Sequence, residues 1–218
     1  GAQGRAAHTW GGTARRSEVR TIPLQLRQRD ATTCGPSAAV VAGMLLDPEY
    51  RPGLSGPDAG VAWFCQEQAR VHSLVNRVWP RALGMTPMGM ASALNLHSRG
   101  RGIRYRWRTW AGRRDSLDDV KNAVGSGWPV PMLIGRWIPR HWVLIFDVST
   151  LGLHCYEPSS GEVRSVAAET LRLAQLSGLG YRRPFAFVVP TTERRTPARR
   201  LPGRRADGAE KGARSALW

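Results

Sequence analysis

Residues 28–46 have the sequence QRDATTCGPSAAVVAGMLL, in which a polar segment changes to an apolar run at Cys34. Proline is tolerated in the first turn of a helix but not in its interior, so Pro36 places the start of this helix at about Cys34. The apolar residues that follow predict a buried helix, and Asp47-Pro48 ends it. A cysteine therefore stands at the N-terminus of the first long helix.

This position favours chemistry at Cys34 over a purely structural thiol. Unpaired N–H groups and the positive end of the helix dipole stabilise a thiolate there, and we expect Gly35 to leave room for a substrate beside the sulfur. Cys65 and Cys155 lie in apolar runs and are interpreted as core residues. Three cysteines do not make a complete disulfide framework, and their spacing does not indicate zinc. Free thiols favour the cytoplasm, with secretion left open.

Hydrophobic periodicity predicts mainly helices in the first half of the chain and mainly strands in the second. Helices followed by strands indicate the α+β class with an antiparallel sheet. Besides the helix that begins at Cys34, helices are predicted over 60–76, 86–96, 116–124 and 167–176, and strands over 103–110, 129–135, 141–148, 153–157, 162–166 and 185–190.

Several local patterns carry more detailed predictions. Thr86 is expected to cap the third helix, and Ser116 with Asp119 resembles a capping box that opens the fourth. The second helix is expected to bury a stripe formed by Val61, Phe64, Cys65, Ala69, Val71 and Leu74. Five tryptophans are expected to line the core or a substrate cleft, namely Trp79, Trp107, Trp128, Trp137 and Trp142.

The chain of 218 residues has the length of one ordinary domain. Residues 1–20 and 191–218 are rich in arginine, glycine and alanine and contain few core-forming residues. We interpret them as a flexible basic arm and a disordered Arg-rich tail around a domain over 21–190. No apolar block approaches the roughly 18 to 20 residues that would span a bilayer, so no transmembrane segment is expected.

The formal net charge of +16 raises the question of nucleic-acid binding. Residues 1–20 hold four arginines and one glutamate, a net +3, and residues 190–218 hold seven arginines, one lysine and three acids, a net +5. Thirty of the 32 basic residues are arginine, a bias typical of a GC-rich genome. The basic ends lack interleaved aromatic residues for base stacking. Nucleic acid is therefore not expected as the main partner, although the ends can attract anions at low salt.

A second candidate group lies in the strand-rich half. His141 opens the apolar strand HWVLIFDV, and residues 149–152 are expected to form the turn of a hairpin with 153–157. A turn centred near position 149 places Glu157 opposite His141 on the same face, where it can orient the imidazole. Asp147 lies six residues along the same strand, about 20 Å away, and is too far to do so.

Gln28 stands six residues before Cys34 in an extended segment. Its side-chain amide can point into the space faced by the backbone N–H of Cys34. Two N–H donors aimed at one oxygen stabilise the oxyanion that forms during acyl transfer. Together these residues indicate a nucleophile, a base, an orienting carboxylate and an oxyanion donor.

The run from Gln28 to Pro36 resembles the Gln-x5-Cys-Gly segment of the bacteriocin-processing, double-glycine leader peptidases, which belong to the papain-like clan. The strand that begins at His141 looks like the His strand of that family. The run YEPSSG over 156–161 is similar to its Asp-Pro-x-x-Gly segment. Order and spacing agree over about 21–190.

The resemblance implies a papain-like fold over 21–190, in which a helical half carries the nucleophile helix and packs on an antiparallel β-sheet half. It implies Cys34 as nucleophile, His141 as base and Gln28 as oxyanion donor. The third position departs from the family, because its aspartate is Glu157 here, with one more methylene. No metal or organic cofactor is implied, and the implied partner is a peptide or protein substrate.

Three functions are compatible with these residues. The first is a cysteine hydrolase that cleaves peptide or isopeptide amide bonds through an acyl-enzyme. The second keeps the site but is a deamidase, amidase or transpeptidase effector, because a fold does not determine a reaction. The third is a catalytically inactive basic binding module, whose salt-dependent binding would survive Cys34→Ala. The sequence leaves the substrate and the oligomeric state open.

Overall fold

In the computed structural model of the chain, the structure describes residues 26–30, 32–50, 57–75 and 84–192. The predicted arm and all but the first two residues of the predicted tail lie outside these ranges, as does Trp79. Those two residues belong to the last strand, which continues to Thr192 because Thr192 pairs with Ile103 of the first strand. No helix within the described ranges has the length and apolarity needed to cross a membrane.

The order of helices and strands follows the prediction. The helices are α1 (Cys34–Leu46), α2 (Pro57–Val75), α3 (Pro87–His97), α4 (Asp118–Gly125) and α5 (Ala168–Arg172). The strands are β1 (Ile103–Thr109), β2 (Val130–Gly135), β3 (Pro139–Ser149), β4 (Gly152–Glu157), β5 (Glu162–Val166) and β6 (Arg183–Thr192). Helix α5 is shorter than predicted and covers five of the ten residues expected to be helical.

The six strands form one antiparallel sheet in the order β1-β6-β2-β3-β4-β5. Helices α1, α2 and α3 pack on one face, and α4 and α5 pack on the other. A hydrophobic core lies on each face of the sheet, and alternate residues of β3 pack into the two cores. Trp142 and Leu144 face the first three helices, while Val143 and Ile145 face the other two. The predicted α+β class with an antiparallel sheet is confirmed.

Helix α1 is buried on nearly all sides because it lies between the sheet and two other helices. Eleven of its 13 residues are buried, and it contacts α2, α3 and β3. A helix that is apolar all round is typical of a protein core. It begins at Cys34 as predicted, and it ends where the N–H of Asp47 donates to the carbonyl oxygen of Gly43 at 2.8 Å.

Helix α2 buries only part of the predicted stripe. Phe64 and Val71 are buried as predicted, whereas Val61 and Leu74 are 49% and 42% exposed and Gln68 is buried. The side-chain oxygen of Gln68 accepts a hydrogen bond from the backbone N–H of Arg29 at 3.2 Å. The prediction is wrong at Val61 and Leu74, because Gln68, a polar residue outside the predicted stripe, is buried through its hydrogen bond and turns the buried face toward itself.

The helix-capping predictions are confirmed at α3 and wrong at α4. Thr86 caps α3, since its Oγ1 accepts a hydrogen bond from the N–H of Gly89 at 3.0 Å. The capping box of Ser116 and Asp119 does not form, because α4 begins two residues later, after Leu117 in the left-handed conformation. The Asp119 carboxylate pairs with an arginine of β1 instead.

The tryptophans divide between the core and the surface. Trp142 is buried, and Trp128 packs against both cores. Trp107 and Trp137 are 45% and 73% exposed, so neither belongs to the core. Trp137 stands in the turn between β2 and β3, only four residues before His141.

Candidate active site

Cys34 is the first residue of α1, and only 3% of its surface is exposed. The Thr33 side chain does not cap the helix, because its Oγ1 donates to the carbonyl oxygen of Asp30 at 2.9 Å. The first turn contains no acidic residue, and the described residues provide no acceptor for the N–H of Cys34. This N–H and the positive end of the helix dipole therefore remain available to an anion near the sulfur.

Gly35 serves packing rather than substrate access. A Cβ added at Gly35 would lie 2.6 Å from the Cβ of Met85 and 3.1 Å from the Cδ1 of Trp142. The indole N–H of Trp142 donates to the carbonyl oxygen of Met85 at 2.9 Å, which fixes both groups. The expectation that Gly35 leaves room for a substrate is wrong, because Met85 and Trp142 fill that space. The glycine instead lets α1 approach β3 closely.

Strand β3 contains one extra residue relative to β4. Near the turn Ser149 pairs with Gly152, whereas further along Ile145 pairs with Cys155, so the register shifts by one residue at Phe146. Side chains alternate between the two faces along a strand. A β-bulge of this kind therefore changes which residues of β4 share a face with which residues of β3.

This bulge brings Glu157 to the face of His141. Extension of the pairing beyond Leu144 and Tyr156 sets Glu157 opposite Val143, two residues from His141. The two residues share a face as expected, but the predicted direct opposition is wrong, because the turn is centred between residues 150 and 151 and not near 149. If the same residues paired without the bulge, in the register seen near the turn, Glu157 would lie opposite Leu144 and so on the other side of the sheet from His141.

Nε2 of His141 lies 2.7 Å from Oε1 of Glu157, and both side chains are almost fully buried. The N–H of Ser159 also donates to Oε1, and the N–H and hydroxyl of Ser160 donate to Oε2, each at 2.9 Å. Burial opposes ionisation, but these hydrogen bonds, led by the one from His141, hold the pKa of Glu157 well below its usual range. The carboxylate is therefore ionised, and Nε2 of His141 carries a proton.

The imidazole of His141 also interacts with the thiol of Cys34, the candidate nucleophile. Hydrogen bonding with the thiol of Cys34 is the largest of the influences that raise the pKa of His141, and Nδ1 is the ring nitrogen left to face the sulfur, because Nε2 is bonded to Glu157. Burial lowers the pKa of His141, but the hydrogen bonds and negative charges of Cys34 and Glu157 outweigh this effect and raise the pKa to about 9. At neutral pH the imidazole between sulfur and carboxylate is therefore protonated.

Tyr181, which precedes β6, covers one face of His141. The two ring centroids are 5.0 Å apart, and the ring planes differ by 9°. Burial and the negative charges of Cys34 and Glu157 raise the pKa of Tyr181, while the positive charge of Arg140 opposes the rise. Tyr181 was not predictable from the sequence, because only the pairing of β2 with both β3 and β6 brings its loop to the imidazole.

Gln28 lies beside the turn that follows β4. Its N–H donates to the carbonyl oxygen of Pro158 at 2.7 Å, and its Oε1 accepts a hydrogen bond from the hydroxyl of Ser159 at 3.4 Å. Its Nε2 donates to the carbonyl oxygen of Asp30 at 2.9 Å, so one of its two amide N–H groups is occupied. No hydrogen bond joins this side chain to the sulfur or to the imidazole.

The other cysteines and Asp147 lie away from this cluster. Asp147 pairs with His154 toward the hairpin end of β3, in agreement with the distance argument. Cys155 is fully buried, and burial raises the pKa of its thiol to about 12. Cys65 is half-buried on α2. Burial explains Cys155 as a core residue, as predicted, whereas Cys65 belongs to neither core.

The sequence of this chain has little similarity to those of known proteins. No protein-family model and no curated protein matches the chain. A solved structure that resembles it is described as that of a double glycine motif protease from an AMS/PCAT transporter in complex with the leader peptide. The two chains are 11% identical with a TM-score of 0.41, and the match covers 79% of this chain and 92% of that one. The function of this chain is therefore inferred from the geometry of the site.

Proposed function

We propose that this protein is a papain-like cysteine hydrolase that cleaves peptide or isopeptide amide bonds. The observation that carries the proposal is the position of His141 between Cys34 and Glu157, with Nε2 bonded to the carboxylate. Catalysis by a thiol needs a base within hydrogen-bond reach of the sulfur and a third group that orients the base. Helix α1, strand β3 and strand β4 each supply one of these groups.

In the first half of the reaction the thiolate of Cys34 attacks the carbonyl carbon of the substrate. A carbon–sulfur bond forms, and an electron pair of the carbonyl moves to its oxygen. The N–H of Cys34, at the positive end of α1, donates to this oxyanion. The carbon–nitrogen bond then breaks, and the imidazolium of His141 gives its proton to the leaving amine.

In the second half a water molecule releases the acyl group. Neutral His141 takes a proton from the water as its oxygen attacks the thioester, and the carbon–sulfur bond then breaks. The carboxylic acid leaves, and the thiolate and imidazolium are restored. Glu157 stays ionised throughout and holds the imidazole in the tautomer that points Nδ1 at the sulfur.

Gln28 is the second oxyanion donor in this proposal. One amide N–H of Gln28 donates to Asp30, and the second has no acceptor among the described residues. The backbone of Gln28 is fixed to Pro158 in the turn after the orienting carboxylate. A rotation of the amide when substrate binds then exchanges the Asp30 carbonyl for the oxyanion.

The turn after β4 supports the use of glutamate in place of aspartate. The carboxylate of Glu157 reaches back over its own turn to the N–H groups of Ser159 and Ser160. These bonds hold the longer side chain of glutamate so that its Oε1 lies 2.7 Å from Nε2 of His141. The orienting role therefore does not depend on the shorter side chain.

Selective alkylation tests the proposed nucleophile. With iodoacetamide at neutral pH, Cys34 should react at least about tenfold faster than Cys65 or Cys155, because a thiolate beside an imidazolium is the reactive form. Mass spectrometry of the digested protein measures all three rates in one sample. The variant His141→Gln should remove the advantage of Cys34. Equal rates at the three thiols in the unaltered protein would contradict the proposal.

Turnover of a random peptide pool tests the reaction itself. Cys34→Ala should abolish cleavage, whereas Cys65→Ala, which also removes one thiol, should leave it unchanged. Mass spectrometry of the trapped acyl-enzyme identifies the bound fragment. Ammonia release without chain cleavage would assign a deamidase reaction to the same residues.

A further inference from the structure

The turn between β2 and β3 presents an aromatic side chain beside the proposed active site. Residues 136–138 are exposed, and Trp137 has 73% of its surface in solvent. The turn requires Gly135, where an added Cβ would lie 1.9 Å from the carbonyl oxygen of Ile138. The N–H of Arg182 also donates to the carbonyl oxygen of Gly135 at 3.1 Å. A constrained backbone therefore holds the indole in solvent.

A guanidinium stacks on this indole. The central carbon of the Arg182 guanidinium lies 5.2 Å from the ring centroid of Trp137. Cation–π attraction holds the guanidinium against the ring and leaves its edge N–H groups available. Such a planar fork can bind a carboxylate with two parallel hydrogen bonds.

The positive charge at this turn is not neutralised locally. Arg136, Arg140 and Arg182 are exposed, and no carboxylate among the described residues forms an ion pair with any of them. Arg108, by contrast, pairs with two aspartates. We call Arg136, Trp137, Arg140 and Arg182 the arginine–tryptophan rim. Its charge favours an anionic ligand.

The arginine–tryptophan rim is continuous with the proposed active site. Arg140 directly precedes His141, and Arg182 directly follows Tyr181. The ring of Tyr181 stacks on the imidazole at 5.0 Å. The rim therefore borders the side of the proposed site that His141 and Tyr181 form, where part of a bound peptide can lie.

We propose that the arginine–tryptophan rim binds an acidic peptide segment next to the scissile bond and so determines substrate preference. The guanidinium groups receive a carboxylate of the substrate, and the indole of Trp137 packs against a neighbouring apolar side chain. This inference rests on the proposed hydrolase function. It specifies the chemistry of the substrate, an apolar residue beside an acidic one, which the catalytic residues alone do not.

Peptide binding to the inactive variant Cys34→Ala tests this inference without turnover. Two fluorescent pools of capped decapeptides are compared, alike except that a central Leu-Asp pair in one is Leu-Asn in the other. The Asp pool should bind roughly 3- to 10-fold more tightly, as expected for a charge-assisted contact near the surface. Arg182→Gln should remove this preference. Arg99→Gln, which makes the same charge change before the distant end of β1, should keep it.

The outcomes separate this inference from the proposed function. Equal affinity for both pools overturns the role of the rim. If the unaltered protein cleaves both pools, the hydrolase function is still supported. Preferential binding of the Asp pool with no cleavage, and with Cys34 no more reactive than Cys65, overturns the hydrolase and supports the rim. Displacement of the Asp pool by a short oligonucleotide at about 150 mM salt would assign the rim to nucleic acid and overturn the inference.

Discussion

At the scale of single residues, Glu157 is held more firmly than its role toward His141 alone requires. Its two carboxylate oxygens take part in four hydrogen bonds, and three of the donors belong to Ser159 and Ser160. The turn therefore fixes the carboxylate independently of the histidine. A fixed charge orients an imidazole better than a mobile one, because less conformational entropy is lost when the pair forms.

Removal of the Glu157 charge should change the pH dependence of catalysis. The negative charge of Glu157 helps to raise the pKa of His141 to about 9. The unaltered enzyme should lose kcat/KM as pH rises through about 9, since the leaving amine then receives no proton. In Glu157→Gln the pKa of His141 falls, so this alkaline limb should move to lower pH, and kcat should drop by roughly 10- to 1000-fold.

A pH–rate profile measures both effects of that substitution. Glu157→Asp is the matched control, since it keeps the charge and shortens the side chain by one methylene. Its alkaline limb should stay near that of the unaltered enzyme. An unmoved limb in Glu157→Gln would show that Glu157 does not act on the catalytic histidine.

At the scale of elements, the start of a helix was predictable where a neighbouring residue decides it. Pro36 and Thr86 act through the first turn of their own helices, and α1 and α3 begin where these residues indicate. The bulge at Phe146 was not predictable, because a hydrophobic pattern does not fix the register of a hairpin to one residue. The stacking of Tyr181 was not predictable, because it depends on the pairing of β2 with β6, which is distant in sequence. The exposure of Val61 and Leu74 on α2 was not predicted, because a tertiary hydrogen bond places the polar residue Gln68 on the buried face.

Gly35 controls how closely α1 lies on β3, and Gly35→Ala should therefore affect both stability and activity. The added methyl would clash with Met85 and Trp142, and we expect a loss of about 1 to 3 kcal/mol in the free energy of unfolding. The shift of α1 should also lower kcat, because the nucleophile is the adjacent residue. Urea unfolding and peptide turnover measure the two effects.

Gly125→Ala is the control for the glycine experiment. Gly125 ends α4, and an added Cβ there would have its nearest neighbour at 4.0 Å, on Val148. Its free energy of unfolding should change by less than about 0.5 kcal/mol. Equal stability of the two variants would contradict the packing role assigned to Gly35.

At the scale of the whole molecule, the two sides of the proposed site are tied together by bonds remote in sequence. The hydroxyl of Tyr156 donates to the carbonyl oxygen of Leu26 at 2.6 Å, and the N–H of Gln28 donates to Pro158. The segment before the nucleophile helix therefore follows the end of β4. Because these bonds join the parts of the site into one unit, loss of the pair of His141 and Glu157 should change the free energy of unfolding of the whole domain.

The pair of His141 and Glu157 should make stability depend on pH. The folded-state pKa of His141 is raised from 6.5 to about 9, so its contribution is fully present below about pH 6.5 and is lost as pH rises through 9. The pKa of Glu157 is lowered from 4.5, so its contribution is present above that value and is lost as pH falls further.

Comparison of the unaltered protein with His141→Gln measures this dependence. The difference in free energy of unfolding should be largest between about pH 5 and 6.5, on the order of 3 kcal/mol, and should shrink above pH 9. Urea unfolding at a series of pH values gives the curve. A difference that grows with pH above 7 would have the wrong sign for a raised pKa.

The bulge at Phe146 decides which face of the sheet receives the carboxylate of Glu157. If the register seen near the turn continued past Phe146, every strand could still be paired, but Glu157 would lie opposite Leu144. Its carboxylate would then turn toward the hydrocarbon around Trp142 and Leu144, where an ionised group is poorly tolerated. The same sequence in a regular hairpin would therefore keep its backbone hydrogen bonds and lose the pair of His141 and Glu157.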